Sequence, residues 1–308
     1  MCQHCAMADQ HLNVGTFTRS ILIHMARESG DLERAGLRVH ESLVTSSPAQ
    51  FTSLENGELD LVFTSPDNVL AYQYLAKNPL GRTIPLRVLA ALDKGLGLSL
   101  NLAPHVSDVA QVRNEVVGVD VPQSGFAFVA YELLARSGLE PGAYRLEALG
   151  STPQRTAALV ESRCAATVLN AGNELRARGL GCTSVSQVDA LGPYIGTVIA
   201  ALPTSDQRND HAHARFCDVI LQTSREILAG QRTAEVLKAA EHLLDLDQSQ
   251  AREHYDCLTG ESGLVADGVV ELGAIETLVE LRRKYMPARE LDDVVKSIDD
   301  ILIGAARR

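Results

Sequence analysis

The constraint that most narrows what this chain can fold into is an internal repeat. The eighteen residues from Ser46-Ser47-Pro48 to Phe63 align without a gap on those from Ser151-Thr152-Pro153 to Val168. Each copy opens on a hydroxyl residue suited to a helix N-cap with proline at the helix start. Each continues as a short helix, a polar turn and an apolar strand. The likeness extends upstream: Val14-Gly15 precedes a helix expected to end near Ala35-Gly36-Leu37, and Val117-Gly118 precedes one ending near Ser137-Gly138-Leu139. A repeated α/β unit predicts two related lobes facing each other, and a cleft between lobes is a favoured small-molecule site.

Composition excludes several classes. With 308 residues, 45% hydrophobic and 22% charged, the chain can bury the cores of two domains and is not a disordered tract. Its formal net charge is -11, and the longest basic run is Arg282-Arg283-Lys284, expected on a tail helix away from any cleft. This argues against nucleic acid and anionic membrane surfaces as partners. No tryptophan and 4% aromatic residues leave little for stacking bases. No apolar run approaches the roughly 20 residues of a membrane span, so no membrane insertion is expected. The first nine residues lack the basic and apolar regions of a signal peptide, so a cytoplasmic location is expected for the chain as given, or a periplasmic or cell-surface one if an upstream signal has been removed.

Six cysteines are spread through the chain. Cys164, Cys182, Cys217 and Cys257 fall in predicted helices or strands and read as buried reduced thiols. Cys2 and Cys5 form a C-x-x-C around His4 that nothing else completes into a metal site; a frayed terminus accounts for it. His211 and His213 read as an exposed helix start, and His24 as half-buried. No metal and no cofactor is expected.

Strands are expected over 12–15, 37–43, 59–64, 87–92, 96–102, 115–119, 144–148 and 166–169. Helices are expected over 20–29, 48–56, 67–75, 126–136 and 153–161. The alternation predicts an α/β fold of mostly parallel sheets flanked by helices. After Pro203 the pattern turns helical over 208–229, 233–244, 249–258, 272–284 and 291–306, a block expected to return to the first lobe.

Gly15 with Thr16-Phe17-Thr18, the stretch from Glu28 to Val39, the step Leu54-Glu55-Asn56-Gly57-Glu58-Leu59-Asp60 and the tail elements Asp267-Gly268, Leu278–Arg283 and Asp292–Val295 resemble, in order and spacing, the type II periplasmic binding proteins. The nearest branch is the one for nitrate, sulfonates and pyrimidine precursors. The resemblance spans most of the chain. It implies a bilobed fold with residues 1–92 and 194–308 in lobe one and 93–193 in lobe two, hinged near Leu89–Leu98 and Ile195–Leu202.

In such sheets ligands sit beyond the carboxyl ends of the strands. The candidates are therefore Thr16, Phe17, Thr18 and Arg19; Thr45, Ser46 and Ser47; Thr64, Ser65, Asp67 and Asn68; and, from lobe two, Gln123, Ser124, Gly125, Phe126, Ser151, Thr152, Arg155 and Asn170. Hydroxyls and free N–H groups at helix starts suit an anion, although Ser47 and Thr152 could simply be caps. Arg19 or Arg155 could hold a carboxylate, sulfonate or phosphate in a bidentate pair. Lys94 is a further cation near the hinge, and Phe17, Phe126 and Tyr194 could form an apolar wall.

Two function classes follow. One is a solute-binding protein that takes a small organic anion to an ABC permease. The other is a cytoplasmic enzyme on the same fold: a lyase, decarboxylase or desulfinase acting on a small carboxylate or sulfonate, with catalytic residues left open. Sulfinate desulfinases resemble the lobe plan but use a cysteine in the loop that here reads Thr16-Phe17-Thr18-Arg19. Pyrimidine-precursor synthases carry a cysteine-rich run absent from this chain.

Overall fold

The computed structural model describes residues 9–307, so Cys2, His4 and Cys5 lie outside the described residues. The chain runs β1 (Gln10–Thr16), α1 (Ile21–Glu28), α2 (Asp31–Arg34), β2 (Leu37–Leu43), α3 (Ser47–Glu55), β3 (Leu61–Thr64), α4 (Pro66–Tyr74) and β4 (Arg87–Asp93). It continues with β5 (Ser99–Leu102), β6 (Val116–Val119), α5 (Gly125–Arg136), β7 (Arg145–Ala148), α6 (Thr152–Val160), β8 (Ala166–Leu169), α7 (Asn173–Gly179) and β9 (Thr183–Gln187). Strand β10 (Thr197–Ala201) then leads to α8 (Gln207–Leu228), α9 (Thr233–Leu244), α10 (Gln248–Thr259), α11 (Leu272–Tyr285) and α12 (Leu291–Ser297).

Two five-stranded sheets result, β2-β1-β3-β10-β4 and β7-β6-β8-β5-β9. In each, the fourth strand in that order runs antiparallel to its neighbours and the other four share one direction. The antiparallel strand of each sheet is the one that arrives from the other: β5 follows β4, and β10 follows β9. The repeat extends to packing. A Cβ on Gly15 would lie 2.6 Å from Leu59, and one on Gly118 would lie 2.6 Å from Leu149 and 3.2 Å from Cys164 Sγ. Leu59 and Cys164 are equivalent positions of the repeat, so both glycines permit the same close approach. Among the described residues no helix is long and apolar enough to cross a membrane.

Several expectations need correction. Helix α1 matches the one expected over 20–29, but the helix does not run on to near Ala35: it breaks at Gly30, which is left-handed, and α2 follows as a separate turn. The strand expected from Leu96 starts at Ser99, because Leu96 and Gly97 have φ of 46° and 72°. Helix α7 and strand β9 were not anticipated. The expected helix over 291–306 ends at Ser297. Beyond it, Val88 N–H donates to Ile301 O and Ile303 N–H donates to Val88 O, so the tail covers the open edge of β4.

The C-terminal block does not serve the first sheet alone. Helices α8 and α9 pack on α1, but α11 packs on α5, beside the second sheet. Arg282 of α11 is not a surface group. It is 1% exposed, donates to both carboxylate oxygens of Asp67 at 2.8 and 2.5 Å and to Gln123 O at 3.1 Å, and lies over the Phe128 ring. One turn away, Lys284 and Tyr285 donate to Glu132 of α5 at 2.6 and 2.7 Å. Burial raises the Glu132 pKa, but these bonds and that from Arg136 outweigh it and bring it down to about 2.

Removing one partner of a buried pair leaves the other charge stranded, which costs about 3–5 kcal/mol. Arg282→Met should lose about that much in urea denaturation, and Lys296→Ala, on an exposed pair, less than about 0.5 kcal/mol. An Arg282→Met variant as stable as the parent would show that Asp67 finds another partner or water.

Candidate functional site

A cavity of about 130 Å³ lies between the two sheets, bordered by strand ends from both. Thr16 closes β1, Thr64 closes β3, Asp93 closes β4, Asp120 follows β6 and Asn170 follows β8. Four helix starts reach it: Ser20 to Leu22 at α1, Ser65 and Asn68 at α4, Ser124 to Phe126 at α5, and Thr152 at α6. Ser20, Ser65 and Ser124 each cap their helix through the side-chain oxygen. A cap accepts from one N–H, and the other first-turn N–H groups have no intrahelical carbonyl. Converging helix starts also give positive potential.

Thirteen of the predicted residues border this cavity: Thr16, Phe17, Thr18, Arg19, Thr64, Ser65, Asn68, Ser124, Gly125, Phe126, Thr152, Arg155 and Asn170. Ser46, Ser47 and Ser151 do not. Ser46 caps α3 through Ala49 N–H. Ser47 is 1% exposed, with its hydroxyl 3.5 Å from Tyr72 OH. Ser151 forms a capping box with Gln154, and its N–H donates to Thr45 O at 2.8 Å. Asp67 is taken by Arg282, Gln123 supplies a carbonyl to the same arginine, and Lys94 pairs with Glu271 at 3.1 Å. Tyr194 is buried away from the cavity.

Sequence reasoning missed Asp93, Asp120, Thr197 and His254, together with the apolar end formed by Leu96, Leu244, Leu258 and Leu264. The repeat held a signal for Asp120, because the offset that pairs Gly15 with Gly118 also pairs Phe17 with Asp120. His254 and Leu258 carry none, since only the docking of α10 brings them here.

The two predicted arginines differ. Arg19 is half exposed and turned to Glu41, whose carboxylate also accepts from Thr16 Oγ1 and Ser20 N–H at 2.9 and 2.8 Å. Arg155 is 1% exposed. It donates to Gly150 O at 2.6 Å, Thr152 Oγ1 at 3.1 Å and Val168 O at 3.3 Å, all neutral partners, while its Nε has none. Burial lowers its pKa to about 10 against the pull of Asp120, so it stays charged at neutral pH. Its repeat-mate is Gln50, which donates to Phe63 O at 3.0 Å, the carbonyl equivalent to that of Val168. The scaffold thus needs a donor at this position, not a charge.

Burial raises the Asp120 pKa, with Arg155 and Ser47 opposing, and its Oδ1 has no partner. Burial lifts Asp93 to about 6, tempered by the Thr197 hydroxyl and by Gly95 N–H at 2.8 Å. His254 is 1% exposed and its Nδ1 is unpartnered; burial brings it down to about 4, so the imidazole is neutral. Bonds that cross between the two sheets' strand ends include Ser151 N–H to Thr45 O, Asn173 Nδ2 to Thr18 Oγ1 at 3.2 Å, and those from Ser47 to the Asp120 carboxylate.

Among the described residues, no three His, Cys, Asp or Glu side chains group to hold a metal. His213, expected at an exposed helix start, is instead buried, and burial lowers its pKa. Cys164, Cys182 and Cys217 are buried and Cys257 partly so, all unpaired. Burial raises every one of these thiols, which keeps them from acting as thiolates at neutral pH.

No protein-family model and no curated protein matches the chain by sequence. Solved structures do. The alkanesulfonate-binding protein SsuA of Xanthomonas axonopodis pv. citri, bound to MOPS, matches with TM-score 0.73 and 13% identity over 92% of this chain and 96% of its own. A Candida albicans gene product described as exhibiting the generic periplasmic binding protein fold matches with TM-score 0.75 and 15% identity over 97% and 98%. The periplasmic nitrate-binding protein NrtA of Synechocystis PCC 6803 gives TM-score 0.74 and 14% identity over 96% and 86%. The chain has the periplasmic binding protein fold.

Glu174, in the first turn of α7, gives a pH signature. Burial raises its carboxyl from 4.5 to about 8, and Oε2 has no partner. Between those values the folded state keeps a proton that the unfolded chain has lost. Its contribution is complete below pH 4.5 and is lost as pH rises through 8, by up to about 1.4 kcal/mol per pH unit. His254, lowered from 6.5 to about 4, acts in the opposite direction and only below pH 6.5. Unfolding free energy should therefore fall from pH 6.5 to 8, and Glu174→Gln should flatten that fall. An unchanged slope in the variant would contradict the assignment.

Proposed function

We propose that the chain is a solute-binding protein that closes its two lobes, residues 1–92 with 194–308 and residues 93–193, on a small organic anion and delivers it to an ABC permease. The observation that carries this reading is Arg155: a buried cation bordering the cavity, among the described residues in ion-pair contact with no carboxylate, where the repeat-mate is a neutral Gln50. An anion among the four helix starts would neutralise it. The nitrate- and alkanesulfonate-binding descriptions of NrtA and SsuA favour the same ligand class. The enzyme alternative has no comparable support.

Thr16, Phe17, Thr18, Arg19, Thr64, Ser65, Asn68, Ser124, Gly125, Phe126, Thr152, Arg155 and Asn170 are the proposed ligand-binding residues, with Ser46, Ser47 and Ser151 holding the loops behind them. NrtA is described as periplasmic, which favours an extracytoplasmic location over the cytoplasmic one expected from the N-terminus. Fractionation of native cells distinguishes the two.

A bound ligand stabilises by mass action, by about 2.7 kcal/mol at 100 times Kd. A thermal-shift panel of small carboxylates, sulfonates and phosphates should contain a stabiliser. Arg155→Gln, which copies the first half of the repeat, should melt close to the parent yet lose the ligand-induced shift. Stabilisation by neutral compounds alone, or an undiminished shift in Arg155→Gln, would overturn the anion reading. Chemical conversion of a hit during incubation would replace binding with catalysis.

A further inference from the structure

We propose that the ligand carries, a few bonds from its anionic group, an amino or ammonium N–H donor, and that Asp120 selects for it; this rests on the anion-binding reading above. Asp120 is 7% exposed, borders the cavity and has an unpartnered Oδ1. Ser47 serves the carboxylate through its hydroxyl and N–H yet leaves Oδ1 over, and two cations are committed elsewhere, Arg19 to Glu41 and Arg282 to Asp67. Arg155 makes no ion pair with it. Its bonds go to Gly150, Thr152 and Val168, and its Nε is left over. The cavity is therefore bordered by a buried cation and, besides Asp93, by a buried carboxylate, Asp120; Arg155 and Asp120 each have an unused polar atom and no ion pair between them.

A simple anion would meet only half of this arrangement. It would neutralise Arg155, leave Asp120 Oδ1 without a donor and bring a second negative charge beside it. An anion that also bears an N–H group would neutralise Arg155 and offer Asp120 a donor. A buried acceptor left unpaired is the device by which a site rejects the analogue lacking the donor. The scaffold does not ask for the carboxylate. The repeat sets Phe17 at the position of Asp120, and Phe17 borders the same cavity from the other sheet. Arg155 and Asp120 are thus two charges that the second half carries and the first half lacks. Asp93 is a poorer receptor: Gly95 N–H and Thr197 serve it with no buried oxygen left over, whereas Ser47 serves Asp120 and leaves Oδ1 without a partner.

The test uses matched pairs on the full chain: 3-aminopropanoate against propanoate, 2-aminoethanesulfonate against ethanesulfonate, and 2-aminoethyl phosphate against ethyl phosphate. In calorimetric titration, the amino member of at least one pair should bind about tenfold or more tightly than its partner, as expected for a hydrogen bond to a charged group. Asp120→Asn should bring that preference to within about twofold while leaving the amine-free anion bound at least as well as in the parent. Asp120→Ala should do the same, which guards against a new bond formed by the asparagine amide. Equal affinities within every pair that binds, or a preference that survives in both variants, would overturn the proposal and leave the anion reading standing. Binding of no anion from any pair would overturn both.

Discussion

Arg282 meets Asp67 in a two-bond ion pair with 1% of either side chain exposed, and the shape of the cavity depends on that contact. Asp67 lies in the first turn of α4, beside Ser65 and Asn68. The same guanidinium takes the carbonyl of Gln123, two residues ahead of α5. One side chain from the C-terminal block therefore sets the spacing of two helix starts that belong to different sheets. Gly125 lets them approach, since a Cβ there would fall 2.6 Å from Asp67 Cβ. Desolvating two charges offsets much of their attraction, so the pair is better understood as fixing geometry than as a large store of stability.

Two other contacts between the sheets are of another kind. Ser151 to Thr45 and Asn173 to Thr18 are neutral hydrogen bonds, each contributing about 1 kcal/mol. Asp67 and Arg282 both fall within residues 1–92 and 194–308, so their ion pair braces one proposed lobe, and the bonds from Arg282 to Gln123 O and from Lys284 and Tyr285 to Glu132 join that lobe to the other.

Much of this was legible in the chain because the repeat is a local signal. Caps, prolines and strand glycines recur at one spacing, and the two sheets repeat one strand order. The repeat also marks where chemistry departs from scaffold, at Gln50 against Arg155 and at Phe17 against Asp120. What was not legible depends on docking. Arg282 sits in a basic run that reads as solvated until α11 meets α4 and α5. His254 and Leu258 reach the cavity only because α10 packs beside it. Ser47 looked like a ligand residue because a cap and an anion site share the same residue types, and only the fold turns one toward the interior.

Small-angle X-ray scattering on the protein with and without the anion that raises its melting temperature tests this account most directly. Saturation should shrink the radius of gyration, as closure of the two lobes on the ligand requires. Superimposable curves at verified saturation would contradict it, because the lobes would then not close on the ligand at all.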